Sequence, residues 1–181
     1  GGYSAEYGQA LSSVLLLNTT NEPTQEKTDI AIMTVGLGLG NTQKWDKSSL
    51  SINTSYINLA PYNGIFKDRN DWIKPYETAS GEAVYRRRFE NGLLKLYTAF
   101  DATQVELIQE DINEPSGANF GLQNKNLYFN GSYQGMLNDT WLMFGGLSFT
   151  NANNDFKFMD SNIEDTENSF HAKLKFKRRF N

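Results

Sequence analysis

The sequence predicts an all-β fold, an antiparallel up-and-down meander. Three observations carry this. No helical period is sustained at length anywhere in the 181 residues. Several runs alternate apolar and polar side chains, which is the period of a strand. The connections after Thr42 alternate in length: short at 43–46, 90–92 and 137–139, long at 60–79, 103–121 and 151–168. Outer-membrane barrels join their strands by short turns at one end and long loops at the other, so this alternation favours part of a large transmembrane β-barrel. The alternative is a small closed barrel or a sandwich, because about eight strands suffice to close around one ligand.

Composition is compatible with the barrel. Mean hydropathy is -0.56, and no run approaches the ~18 apolar residues of a spanning helix. A spanning strand needs only about 9–11 alternating residues and leaves a weak hydropathy signal. Aromatic residues make up 13% and there are 15 glycines, which suits a barrel with aromatic girdles. The absence of cysteine excludes a disulfide framework, a zinc finger and a cysteine nucleophile. A net charge of -4 gives no reason to expect a nucleic-acid partner.

The elements follow in order. Gly1 to Asn18 opens with Gly-Gly-Tyr-Ser-Ala-Glu-Tyr-Gly and closes in Val14-Leu15-Leu16-Leu17, a short apolar run that reads as a buried strand. The polar stretch at 19–27, with Pro23, reads as a linker. Between Thr28 and Thr42 the alternation changes phase. Ile30 and Ile32 share one parity; Met33, Val35, Leu37 and Leu39 have the other. A bulge or a tight reversal near Met33–Gly36 accounts for this, and the strand count, seven or eight, depends on which. The alternation of connection lengths favours the reversal.

Lys47 to Leu59 sets Leu50, Ile52 and Tyr56 against Ser49, Ser51, Asn53 and Ser55. Gly81–Phe89 and Leu93–Ala102 form a hairpin about Glu90-Asn91-Gly92. Asn126–Met136 sets Leu127, Phe129 and Tyr133 against Asn130, Ser132 and Gln134. In Thr140–Thr150, Trp141, Met143, Leu147 and Phe149 share a face. Ser169–Phe180 is the clearest strand, with Phe170, Ala172, Leu174, Phe176 and Phe180 opposed to His171, Lys173, Lys175, Lys177 and Arg179.

The candidate chemistry is sparse. Gly36-Leu-Gly38-Leu-Gly40-Asn41 lacks the third glycine of a dinucleotide fingerprint and no helix follows, so it reads as a curved strand. Asp160-Ser-Asn162-Ile-Glu164-Asp165 lacks the glycine and the final glutamate of a calcium loop. His171 is the single histidine and has no cysteine or second histidine to join it in a metal site. No catalytic motif, cofactor or metal site is expected, and the chain is not read as an enzyme. Arg86-Arg87-Arg88 and Lys173, Lys175, Lys177, Arg178 and Arg179 form basic clusters that pair with acids or draw an anionic ligand. Among the aromatics of the 60–79 segment, Trp72 and Tyr76 are the candidate ligand contacts, since barrel loops carry recognition.

Several stretches carry a resemblance. Gly2-Tyr3-Ser4-Ala5-Glu6-Tyr7-Gly8 ahead of an apolar strand resembles the end of the plug domain of TonB-dependent outer-membrane receptors, with Ser12-Ser13 where the family often has a second glycine. Asn58-Leu59-Ala60-Pro61-Tyr62, Asp71-Trp72-Ile73-Lys74-Pro75 and Gly92-Leu93-Leu94-Lys95-Leu96-Tyr97 look like the early barrel of such receptors from Bacteroidetes-type bacteria. The resemblance implies the end of the plug at 1–20, a linker at 21–27 and the first part of the barrel at 28–181. It implies residence in a Gram-negative outer membrane, apolar faces against lipid, and active uptake of a nutrient such as an iron chelate, cobalamin, sugar or peptide. The partner would be the TonB complex, gripping a segment upstream of Gly1. Because Gly1 falls inside the motif, the chain is expected to be an internal part of a longer receptor.

Overall fold

A computed structural model describes residues 22–66, 71–110 and 115–178. They form one antiparallel sheet in which each strand pairs with the next: β1 (Lys27–Met33), β2 (Gly36–Lys44), β3 (Ser48–Asn58), β4 (Asp71–Phe89), β5 (Gly92–Gln109), β6 (Ala118–Met136), β7 (Trp141–Phe158) and β8 (Ser161–Arg178). A six-residue helix, α1 (Ala60–Ile65), lies between β3 and β4. The all-β up-and-down meander expected from the sequence is the observed fold.

The turns have local causes. Met33 pairs with Gly36, so residues 34 and 35 make a tight reversal and the phase change marks two strands. Phe89 pairs with Gly92, leaving Glu90 and Asn91 as the loop. After β6, Asn138 closes the turn with its side chain. Its Oδ1 accepts from the backbone N–H of Thr140, from the Thr140 hydroxyl and from the backbone N–H of Trp141, each at 3.0 Å. Asn58 Oδ1 similarly accepts from the Ala60 N–H at 2.8 Å where the chain enters α1.

Two expectations are corrected. The long loops at 60–79, 103–121 and 151–168 are largely strand: β4 begins at Asp71, β5 runs to Gln109, β6 starts at Ala118, and β7 and β8 are separated only by Met159 and Asp160. The ladder continues although the side chains turn polar, because main-chain pairing asks nothing of side-chain polarity. Polar cross-strand pairs support it: Thr78 with Thr103 at 2.8 Å, Gln104 donating to Glu77 at 2.6 Å, Asn124 with Asn154, and Asn151 donating to Asn168 at 2.7 Å. The second correction concerns closure. The described residues form one open sheet, with β1 at one edge and β8 at the other, so neither a small closed barrel nor a sandwich forms. The plug end at 1–20, residue 21 of the linker, and Arg179 and Phe180 lie outside the described residues.

Candidate functional site

The register sorts every strand residue onto one of two faces. On the first face stand Leu50 and Ile52 of β3, Tyr85 of β4, Leu94, Leu96 and Phe100 of β5, and Leu127, Phe129 and Tyr133 of β6. It continues with Trp141, Met143, Leu147 and Phe149 of β7 and Phe170, Leu174 and Phe176 of β8. On β5 to β8 these apolar positions span seven to nine residues at the short-turn end, ~23–30 Å of strand. Beyond them the same face turns polar, with Lys125, Asn151, Asn153 and Asn168, then Gln123, Asp155 and Glu164.

This apolar band is open. Phe170 is 67% exposed, Leu174 65% and Ile32 82%. The only large or small hydrophobic residues buried among the described ones are Val84 and Ala118, whereas Arg86 and Ser49, on the opposite face, are buried at 5% and 3% exposure. Burial does not follow polarity: two apolar and two polar side chains are buried among the described residues, and large apolar side chains stand exposed along one face. Among the described residues almost no apolar side chain is packed away, and a contiguous apolar face of this kind marks an interaction surface.

Opposite the band, the second face is polar. Cross-strand rows set Arg86 beside Lys95, Val84 beside Tyr97 and Asn130, and Asp101 beside Asn126. Its short-turn end is basic, with Arg86, Arg88, Lys95, Lys173, Lys175 and Lys177; Glu82, Asp101, Asp165 and Glu167 lie further along. Arg88 Nε meets Glu22 Oε1 at 2.5 Å, which brings the segment preceding β1 onto this face. That hydrogen bond holds the Glu22 carboxyl below the usual glutamate range. On this face Lys175 lies 5.5 Å from the centre of the Phe144 ring, so part of the basic cluster packs against an aromatic; on the first face Arg178, paired with Trp141, lies 5.8 Å from the centre of its ring.

At the far end of the second face, past the level of the band, polarity reverses again. Val105, Leu122, Phe156 and Ile163 form one row; Trp72, Leu107, Phe120 and Phe158 form the next. Phe120 and Phe156 meet edge to face at 5.1 Å between centroids. Trp72 thus joins an aromatic patch that the sequence did not assemble. Its Nε1 is buried without a hydrogen-bond partner among the described residues. Tyr76 sits in an irregular stretch of β4 between the pairs Lys74–Glu106 and Glu77–Gln104, and its carbonyl accepts from the Leu59 N–H at 2.9 Å. On the first face at this level, Glu106 accepts from Lys157 at 3.0 Å and meets Lys74 at 3.4 Å. Period-two reading could have found the patch had residues 103–121 and 151–168 been read as strands.

Among the described residues no cluster of three or more histidine, cysteine, aspartate or glutamate side chains is placed to hold a metal. His171 lies on β8 opposite Ser148, on the polar face. No family model, curated protein or solved structure matches the chain.

Proposed function

We propose that the chain forms part of the wall of a TonB-dependent receptor in the outer membrane of a Gram-negative bacterium, and serves active uptake of a nutrient. One observation carries the reading: a continuous, exposed apolar band runs across the sheet on a single face, at the height a bilayer core requires, with a polar face behind it. Lipid covers such a band without any protein partner. Both sheet edges then need further strands, because unpaired backbone groups are not tolerated in lipid.

Three features support a receptor rather than a simple pore. The segment before β1 reaches the polar face at the short-turn end through Glu22 and Arg88, where a plug entering from the periplasm would join its barrel. The Gly1–Gly8 motif and the early-strand motifs up to Tyr97 resemble that family. Strands of 18 to 19 residues outrun the ~9–11 that the bilayer needs, so the wall stands above the membrane. There it presents the patch that contains Trp72, beside Tyr76, to an arriving ligand. Neither the nutrient nor an enzymatic step is implied by these residues.

The test is the native gene product: its mass, and its partition between detergent-solubilised outer membranes and the soluble fraction. The reading expects an outer-membrane protein several times heavier than 20.5 kDa. A soluble product of about this mass would overturn it.

A further inference from the structure

At the short-turn end of the polar face lies a cavity of ≈ 130 Å³, where the segment preceding β1 and the β2–β3 turn meet β4. Its lining includes four cationic side chains, Lys44, Lys47, Arg86 and Arg88, and two carboxylates, Glu22 and Asp46. Glu22 is committed to Arg88 at 2.5 Å. Main-chain bonds fix the rim. The Trp45 N–H donates to the Ser48 carbonyl at 2.8 Å, and the Arg88 N–H donates to the Lys47 carbonyl at 2.7 Å. The Lys44 N–H donates to Glu26 Oε1 at 3.2 Å, which ties the start of the sheet to the same rim.

Ser49 lies in this lining, between cations. It pairs with Lys44 of β2 and with Arg86 of β4, and Arg86 pairs with Lys95 of β5, so one row of the face reads Lys44, Ser49, Arg86, Lys95. Side chains opposed in a row start ~5 Å apart. Like charges held so close raise the positive potential over the serine. Ser49 is 3% exposed. Its hydroxyl is buried and has no hydrogen-bond partner among the described residues. A buried hydroxyl left in that state is destabilising, and a bound group ordinarily satisfies it.

We infer that this cavity binds a small tetrahedral oxyanion, with free inorganic phosphate as the type. The Ser49 hydroxyl donates to one anion oxygen, Lys44 and Lys47 supply charge from the rim, and the Arg86 guanidinium forms the buried wall. The size agrees: at ~30 Å³ per water the cavity holds about four waters, enough for the ion and too little for a phosphate with an organic arm. Water would satisfy the serine, but it adds no negative charge to a lining in which cations outnumber carboxylates. The site depends on the register of β2, β3 and β4 and not on what covers the apolar band, which lies on the opposite face.

The test is calorimetric titration of the purified native gene product with inorganic phosphate, exchanged for chloride at constant ionic strength. The site expects saturable binding with a Kd of about 1 mM or tighter. Ser49→Ala removes the hydroxyl with little change of volume and should weaken binding about tenfold or more. Lys47→Gln, on the exposed rim, should weaken it severalfold and serves if Ser49→Ala does not fold. Lys173→Gln, at the β8 end of the row that contains Ser49 and Arg86, should stay within twofold of wild type. Absence of saturable binding would overturn the inference and leave the cavity to water. Equal losses at Lys173 and at the cavity residues would overturn it in favour of diffuse attraction to the basic face. Glycerol phosphate binding as tightly as the free ion would overturn the assignment to inorganic phosphate.

Discussion

Leu147 offers the most direct test of what covers the apolar face. It lies near the middle of the band, 44% exposed, between Gly131 and Ala172 in its row, so no large neighbour shields it. Consider arginine placed in turn at Leu147, at Ser148 and at Asn153. The first is on the band, the second on the polar face directly beside it, and the third on the band's face but about four residues beyond its upper limit at Phe149. In water all three are exposed or half-exposed surface changes, and each should lie within ~0.5 kcal/mol of wild type. In a bilayer they separate. A guanidinium near the midplane of a barrel's lipid face costs about 2–4 kcal/mol, falling to ~0–1 near the interface. Leu147→Arg should then shift the folding equilibrium by ~30-fold to 1000-fold, and the other two by less than about fivefold. Guanidinium unfolding of the native gene product in liposomes, followed by tryptophan fluorescence, reads all three on one scale. Because the introduced residue is the same each time, strand propensity and added charge cancel in the comparison. If Leu147→Arg falls within 0.5 kcal/mol of Ser148→Arg, lipid does not cover this face.

The remaining predictions concern turns and charge. Asn138→Ala removes the acceptor of three bonds in the β6–β7 turn and should destabilise by about 1 kcal/mol in the same assay; no change would mean the backbone holds this turn alone. Gly117 has φ of 77°, and an added Cβ would press on Ile108 and the Gln109 carbonyl, so Gly117→Ala should lose about 1–3 kcal/mol. That loss should leave Gly64→Ala, which meets nothing within 4 Å, as a near-neutral control. Arg88 lowers the Glu22 carboxyl in the folded state. Its contribution is therefore complete above the ordinary glutamate pKa and is lost as pH falls through the lower folded value. Glu22→Gln should flatten that part of the acid limb of stability against pH, and an unchanged limb would remove the pair from the account.

Legibility in the sequence followed polarity. Wherever one face was apolar and the other polar, as in Leu127 to Tyr133 or Phe170 to Phe176, period two identified the strand and its faces correctly. The reversal at Met33–Gly36 was visible as a change of phase, and the turns at Glu90-Asn91 and Asn138 were visible through residues that make turns with their own side chains. The outer halves of β4 to β8 were not legible. There both faces change character, Asn, Asp, Gln and Thr replace the apolar partners, and a side-chain pattern that resembles a loop sits on an unbroken ladder.

By itself the sequence determined the strand class, the order of the meander, and which residues share the apolar face, because side-chain alternation is a local property of extended backbone. It also named Trp72 and Tyr76 without a setting. Tertiary structure alone decided how neighbouring strands are offset, and that offset is not local. Register joined Trp72 to Leu107, Phe120 and Phe158 from three other strands. It put Phe100 and Asn168 on one row. The physical reason is that hairpin pairing fixes register only through contacts between residues far apart in the chain, which no single strand's pattern contains.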